Sequence, residues 1–178
     1  MLSKNRTRFI NSLKLKKNRK TEQLFIVEGA KNVQELLHSN YNIHSIYCTE
    51  SFLRANSRLI SKKNVPIIEA DPEQLEAAGT FQTNKDALAL AKIKENILQT
   101  VKEDEFALVL DDIRDPGNFG TILRIADWYG IKKVIASLSC VDLYNPKVIG
   151  SSMGSFTRVD VFYTYLLNFI RQNPGPYY

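Results

Sequence analysis

One stretch limits the folds open to this chain more than any other: an apolar run, a Pro-Gly turn, a helical segment and a second apolar run. The apolar runs are Phe106–Leu110 and 132–136, and the helical segment extends from Asn118 to Tyr129, before Gly130. Both runs suit strands, and the nearly continuous apolar character of the first is typical of a central strand buried on both faces. This β–α–β unit predicts a parallel sheet with a right-handed crossover.

The N-terminal half also alternates strand and helix patterns. Expected strands cover 24–27, 43–48, 65–68 and 87–93, and expected helices cover 5–16, 30–38, 51–63 and a segment that starts at Asp71-Pro72. In the second half a helix over 145–152, a strand over 159–162 and a helix over 165–171 follow the β–α–β unit. The alternation predicts an α/β architecture. The polar segment 94–104 predicts a boundary between a first domain, residues 1–95, and a second, residues 105–178.

Positive charge is concentrated at the N-terminus. Of the 24 basic residues, eight lie in the first 20 positions, where no acidic residue occurs, so the formal charge of +5 belongs to this arm alone. Such an arm suits a polyanion, because each cation near a phosphate releases condensed counterions. The arm predicts contacts to a polyanion such as RNA from the following residues: Arg6, Arg8, Lys14, Lys16, Lys17, Arg19 and Lys20. A solvated basic helix or a disordered tail remains the alternative.

The composition excludes several classes of protein. Hydrophobic residues make up 44% of the chain, which is typical of a globular protein. No apolar run approaches the roughly 20 residues of a membrane span, and the N-terminus lacks the apolar core of a signal peptide. We therefore expect a cytoplasmic protein without a membrane partner. The two cysteines, Cys48 and Cys140, lie in separate apolar runs, which favours buried free thiols.

The helix that follows the Pro-Gly turn carries unusual polar residues. Asn118, Thr121, Arg124 and Trp128 are spaced to lie on one slanted ridge. An arginine on an otherwise apolar helix needs a partner or a substrate anion. The spacing leaves two interpretations open: Arg124 pairs with a nearby aspartate while Asn118 caps the helix, or the turn binds a phosphate or ribose. The turn matches neither G-x-G-x-x-G nor the P-loop pattern.

Three stretches resemble one enzyme family. Leu-Asp-Asp-Ile-Arg-Asp-Pro-Gly-Asn-Phe-Gly-Thr-Ile-Leu-Arg, residues 110–124, with its continuation to Gly130, resembles the first motif of the SpoU/TrmH family of RNA 2′-O-ribose methyltransferases. The segment 145–155 with Arg158 resembles the family's middle segment, and Phe25–Gly29 after a basic helix resembles its N-terminal substrate-binding domain. The family's fold would be a small ribosomal-protein-like α/β domain followed by a parallel-sheet, knotted SPOUT domain.

The resemblance implies a reaction and its residues. The family transfers a methyl group from S-adenosylmethionine to a ribose 2′-OH of ribosomal or transfer RNA, without a metal ion. By position, Arg124 matches the catalytic arginine and Asn118 the motif's asparagine. A guanidinium with a pKa above about 12 is a poor base. We therefore expect Arg124 to orient the hydroxyl and stabilise the developing oxyanion, and Asn118 to hold the ribose or the loop.

The sequence departs from the family in its last part. Neither a Gly-Asn-Glu-x-x-Gly loop nor a Pro-x-x-Gly-x-x-x-Ser-Leu-Asn-Val segment occurs, and in the family these tie the knot and hold the cofactor. We accordingly expect an incomplete SPOUT domain, with unknown cofactor-binding residues, little activity in these 178 residues alone and a weakened family homodimer. A non-catalytic RNA-binding module is the alternative function, and a protein-interaction domain with an acidic partner is a third.

Overall fold

A computed structural model describes residues 2–81, 84–97, 101–102 and 104–174. The strands are β1 (Leu24–Glu28), β2 (Ile43–Cys48), β3 (Ile67–Glu69), β4 (Ala87–Lys92), β5 (Ala107–Leu110), β6 (Lys133–Ser137) and β7 (Asp160–Thr164). The helices are α1 (Lys4–Ser12), α2 (Lys16–Glu22), α3 (Ala30–His38), α4 (Glu50–Ile60), α5 (Pro72–Ala78), α6 (Pro116–Trp128), α7 (Pro146–Ser152) and α8 (Leu166–Gln172), with a 3-10 turn at Ser155–Thr157. This alternation is the predicted α/β class.

The first sheet has the strand order β1-β4-β2-β3. Strand β4 lies between β1 and β2 and runs antiparallel to both, while β2 and β3 are parallel. The sequence predicts that β4 closes this half of the chain, and in space β4 occupies the middle of the sheet. Its residues from Ala87 to Ala91 are all buried, as expected for a strand covered on both faces.

The second sheet has the order β5-β6-β7 and is entirely parallel. This confirms the parallel sheet that the β–α–β pattern predicts. The prediction that β5 is a central strand is wrong. Within the described residues, β5 lies at an edge of the sheet. Phe106 beside it is 74% exposed and Val109 within it is 38% exposed. The apolar run indicates a strand but cannot reveal which strands flank it.

The two sheets share one hydrophobic core. A continuous cluster of buried side chains includes Phe25 and Val27 of β1 together with Phe119 and Leu123 of α6 and the more C-terminal Phe156. Helix α7 contacts β1 across the boundary between the halves. A second, smaller cluster joins α1, α5 and the opposite face of the first sheet. The halves are thus packed against one another through apolar contacts.

Helix ends follow from local signals in the sequence. Thr49 caps α4 by accepting from Phe52 N–H, and the Gln74 side chain accepts from Asp71 N–H at the start of α5, one half of the expected capping box. The predicted helix over 5–16 is in fact two helices, α1 and α2, separated at Leu13–Leu15. No described helix is both long and apolar enough to cross a membrane.

Candidate active site

The candidate site is built on the turn that follows β5. Asp112 has a left-handed backbone conformation (φ 55°), and its N–H donates to Ser137 Oγ at 2.9 Å. Ile113 N–H donates to Cys140 Sγ at 3.3 Å, and the Ile113 carbonyl accepts from Val141 N–H at 2.9 Å. These bonds tie the turn to the segment after β6. They hold the start of α6 at the carboxyl ends of two parallel strands, where open α/β sheets commonly bind their ligands.

The aspartates of this turn are already engaged. Asp115 caps α6, with its Oδ1 accepting from Asn118 N–H at 2.7 Å. Arg114 Nε donates to Asp112 Oδ1 at 2.7 Å, and this hydrogen bond lowers the pKa of Asp112. The sequence left open whether Asn118 caps the helix and whether Arg124 pairs with a nearby aspartate. The structure assigns the cap to Asp115 and the pairing of Asp112 to Arg114.

The side chains of Asn118 and Arg124 are therefore available to bind other partners. Both are exposed on α6, on the same ridge as Thr121 and Trp128, which are exposed as well. Among the residues that the structure describes, no acceptor pairs with the Arg124 guanidinium or with the Asn118 amide. The side chains of Leu123 and Ala126 fill the opposite, buried face. The helix thus presents an amide and a guanidinium to solvent from a rigid, well-packed support.

The basic arm is folded rather than disordered. It forms α1 and α2, which lie at the start of the first half of the chain. Five of its predicted RNA contacts are exposed: Arg6, Arg8, Lys16, Lys17 and Lys20. Lys14 is partly buried, and its Nζ donates to the Gly79 carbonyl at 2.5 Å. In the described part of the chain no hydrogen bond or ion pair joins the arm directly to Asn118 or Arg124.

Arg19 is a correction to the predicted set of RNA contacts. Its side chain is only 2% exposed, and its guanidinium donates to Asp142 Oδ2 at 2.6 Å and to the carbonyls of Leu13 and Lys14. A buried guanidinium needs such partners because desolvation of an isolated charge is costly. Arg19 thus joins α2 to the segment after β6 and does not face solvent. Local charge density could not distinguish it from the surface lysines around it.

A cavity of about 620 Å³ adjoins the start of α6. Its walls come from both halves of the chain: Glu28, Gly29, Asn32, Phe81, Asn84, Asp115, Pro116, Gly117, Lys147, Gly150 and Ser151. Of these lining residues, sequence reasoning predicted none that comes from the first half of the chain or from α7 as a site residue. All three stretches that carry the family resemblance nevertheless contribute to this one cavity. The presence of all three stretches in one sequence was the signal from which a shared site could have been predicted.

Close backbone contacts shape this region. A Cβ atom at Gly120 would lie 2.0 Å from Ser151 Oγ and 2.8 Å from the Val148 carbonyl. A Cβ atom at Gly150 would lie 2.8 Å from the Phe81 ring. Helices α6 and α7 thus come into close contact at Gly120. Helix α7 comes into close contact with Phe81 at Gly150. Both positions thus require glycine for the observed packing.

The two halves of the chain match two families in sequence. Residues 4–89 match the MRM3-like substrate binding domain, and residues 105–177 match the SpoU rRNA Methylase family. The chain is 28% identical over 149 residues to the Bacillus subtilis 23S rRNA (guanosine(2553)-2′-O)-methyltransferase RlmP, an alignment of 84% of this chain and 58% of that protein. It spans less than two thirds of the length of the curated relatives it matches.

Solved structures give the same relationship. A protein of Porphyromonas gingivalis assigned to the TrmH family of RNA methyltransferases superposes with a TM-score of 0.83 at 34% identity, over 97% of this chain and 68% of that one. An AdoMet-bound rRNA methyltransferase of Sinorhizobium meliloti has the same fold, with a TM-score of 0.84 at 22% identity over 96% and 66% of the two chains. The chain belongs to the SpoU/TrmH family of RNA methyltransferases.

Proposed function

We propose that this protein methylates a ribose 2′-hydroxyl of ribosomal RNA. The observation that supports the proposal most is the exposed Arg124, which has no ion-pair partner in the described residues and lies on the same slanted ridge of α6 as the exposed Asn118. The relative RlmP is named as a 2′-O-methyltransferase of 23S rRNA, which supports the ribose oxygen as acceptor and ribosomal RNA as substrate. Transfer RNA is the second substrate class that the family resemblance allows.

Arg124 is proposed as the catalytic residue on the substrate side. In such a transfer the ribose oxygen would bond to the methyl carbon as the carbon–sulfur bond of the donor breaks. The hydroxyl proton would pass to solvent or to a neighbouring RNA phosphate, so negative charge develops on the oxygen. A guanidinium remains protonated at neutral pH and can donate hydrogen bonds to this oxygen while it fixes the direction of attack. Asn118, two helical turns nearer the strand end, can hold the ribose or the adjoining phosphate through its amide. Orientation of the hydroxyl then contributes through proximity.

S-adenosylmethionine, proposed as the cofactor, would supply an electrophilic methyl group. The polar groups after β6 that could hold it already bond elsewhere: Ser137 Oγ contacts Ser139 Oγ at 2.9 Å, and Cys140 Sγ donates to the Leu110 carbonyl. These residues do not form an open cradle for a cofactor. We therefore assign no described residue to it. The homodimer and the cytoplasmic location stay predictions.

Methyl transfer from tritiated S-adenosylmethionine to ribosomal RNA tests the proposal in the active protein. Arg124→Ala should lower the transfer rate by about 100-fold or more, because loss of one oxyanion donor commonly has that effect. Arg124→Lys keeps the charge but loses the planar donor fork, so it should recover only part of the rate. Arg54→Ala is the matched control, since Arg54 is an exposed arginine of α4 paired with Glu50.

The outcome that contradicts this assignment is methylation by Arg124→Ala at the rate of the unchanged protein. Circular dichroism of the variant should show an intact fold, because the Arg124 side chain lies outside the core. Mapping of the modified nucleotide by reverse transcription at limiting dNTP would show whether the methyl group is on the ribose. A methyl group on a base would overturn the proposed acceptor.

RNA binding without catalysis is the second candidate, and the exposed cations of the arm favour it. Lys16, Lys17 and Lys20 lie exposed on α2. Replacing all three with alanine should reduce the slope of log K against log salt by about 2 for single-stranded RNA, at roughly 0.7 per phosphate contact. Lys62→Ala, an exposed lysine outside the arm, should leave the slope unchanged. An RNA-binding protein that methylates no RNA would favour this second candidate.

A further inference from the structure

The outer edge of β7, which faces away from β6, is occupied by a side chain. Asp160 N–H donates to the Lys132 carbonyl, just before β6, at 2.8 Å, so Asp160 faces β6. Successive residues of a strand turn their backbone groups to opposite edges, and Tyr163 therefore faces the outer edge. There Tyr163 N–H donates to Asn96 Oδ1 at 2.9 Å, and Asn96 Nδ2 donates to the Tyr163 carbonyl at 2.9 Å.

This pair of hydrogen bonds imitates a neighbouring strand. A carboxamide carries an acceptor oxygen and N–H donors side by side, as the backbone of a paired strand does. The Asn96 side chain thus satisfies the two backbone groups that a further strand would use at this position. Asn96 comes from the polar segment after β4, for which the sequence predicts only a boundary between the halves.

Three contacts of Lys94 hold this segment beside β7. Lys94 N–H donates to the Tyr144 hydroxyl at 3.0 Å. The Lys94 ammonium lies 4.3 Å from the centre of the Tyr41 ring and 3.7 Å from Asp160 Oδ1 at the start of β7. Asn96 follows two residues later and is exposed, so the contacts of Lys94 place it at the edge without help from the core.

The sequence of β7 explains why its edge needs cover. Residues 161–167 read Val-Phe-Tyr-Thr-Tyr-Leu-Leu and contain no charge, no proline and no glycine. Segments of this kind, rich in β-branched and aromatic side chains, pair readily with copies of themselves. Every residue of β7 after Asp160 is partly exposed. Without cover, the outer edge would be a template for a strand from another molecule.

We propose that Asn96 closes the outer edge of β7 against strand pairing by a second copy of this chain. The strand that it excludes is the β7 of that copy, because two identical edges can pair symmetrically about a twofold axis. Asn96 thus keeps two molecules apart at this edge. The inference is independent of the proposed function, because it involves neither RNA nor methyl transfer.

Sedimentation velocity of the 178-residue chain tests the proposal. Asn96→Ala removes both hydrogen bonds, so it should self-associate about tenfold more tightly than the unchanged protein, the effect of two modest net hydrogen bonds to a partner strand. Asn40→Ala is the matched control, because Asn40 is an exposed asparagine of the loop before β2, and it should leave association unchanged. Equal association of the two variants would overturn the proposal.

A peptide identifies the edge through which the variant associates. The probe is fluorescein-labelled Lys-Lys-Asp-Val-Phe-Tyr-Thr-Lys-Lys, which contains the sequence of β7. By fluorescence anisotropy it should bind Asn96→Ala about tenfold tighter than the unchanged protein. The same peptide N-methylated at its Phe and Tyr amides cannot donate there and should bind neither protein. Equal binding of the two peptides to Asn96→Ala would contradict strand pairing.

Hydrogen exchange provides a test that needs no variant. In the unchanged protein the Tyr163 amide should be protected, although it lies on the outer edge of β7, because Asn96 accepts from it. In Asn96→Ala, studied below the concentration at which it associates, this protection should be lost while the amides of β6 stay protected. An unprotected Tyr163 amide in the unchanged protein would show that the edge is open and would overturn the proposal.

Discussion

At the scale of single residues, one buried charge matters most to stability. Arg19 is enclosed at the junction of α2 with the segment after β6, and Asp142 is its one carboxylate partner in the described chain. A guanidinium left in this position without its counter-charge would be buried with only carbonyl acceptors. The stabilising effect of the pair thus depends on both members being present.

Asp142→Ala should therefore lower the free energy of unfolding by about 3–5 kcal/mol. Urea denaturation followed by circular dichroism would measure the change. Glu50→Ala removes a surface pair with Arg54 in which both side chains are more than half exposed, and it should change the free energy by no more than about 0.5 kcal/mol. Similar effects of the two substitutions would show that Arg19 is solvated in the folded protein.

Single residues also show where sequence reasoning was limited. The predicted family is confirmed. The resemblance also draws attention to Asn118 and Arg124, and both are exposed, as a substrate contact requires. Arg19 and Lys14 have the same sequence surroundings as the exposed lysines of the arm, and only the tertiary packing distinguishes them. The pairing of Asn96 with β7 was missed because the amide and the backbone groups that it bonds lie 67 positions apart in the chain.

At the scale of elements, the contact between α6 and α7 controls the site. These helices pack closely at Gly120, where the neighbours of an added methyl group would include the Val148 backbone carbonyl at 2.8 Å. A backbone atom cannot rotate away as a side chain can. The position of α7, and with it one wall of the cavity, consequently depends on the absence of a side chain at residue 120.

Gly120→Ala should destabilise the protein by about 1–3 kcal/mol, the usual cost of overpacking. Differential scanning calorimetry would show it as a lower Tm. Gly117→Ala is the control, because a Cβ there would meet only the Asp115 side-chain oxygen at 3.1 Å. Should Gly120→Ala melt at the same temperature as Gly117→Ala, the close helix contact would be wrong.

Element bounds were more predictable than element positions. Helix α3 and strand β2 match their predicted ranges at both ends, because apolar periodicity and flanking turn residues are local properties. The order of strands within each sheet could not be predicted from the sequence. The antiparallel insertion of β4 and the edge position of β5 depend on contacts between distant parts of the chain, which a single sequence does not encode in any local pattern.

At the scale of the whole molecule, aromatic and ionic contacts join the two halves. The Phe25 ring of β1 lies 4.6 Å from that of Tyr144, between ring centroids. Arg158 binds both Glu35 of α3 and Asp127 of α6. Burial alone would raise the pKa of Asp127, but the hydrogen bonds from Arg158 and Ser155 outweigh it, so the pKa is lowered.

Because the pKa of Asp127 is lower in the folded state, its contribution to stability is present above the unfolded value of about 3.9 and is lost as the pH falls through the folded value. Asp127→Asn should destabilise the protein by about 1–2 kcal/mol at pH 7. The difference between the two proteins should shrink at pH values below about 4. Urea midpoints measured from pH 7 to 3 would reveal it, and a constant difference would contradict the ion pair.

The shared core predicts that the halves unfold together. Native-state hydrogen exchange should give similar opening free energies for the amides of β1 and β6, the best-buried strands of the two sheets. Arg158→Ala should lower both values rather than one. Exchange of β1 through a separate, lower-energy opening would show that the domains are independent units.

The central place of β4 has a consequence for the order of events during synthesis. Strands β1 and β2 leave the ribosome first, yet they bond to one another only through β4, which ends at Lys92. Until that residue has emerged, both strands present unsatisfied edges and apolar faces. A nascent chain arrested before β4 has emerged would therefore be a substrate for chaperones and proteases. A chain arrested after β4 has emerged could already form the complete four-stranded first sheet.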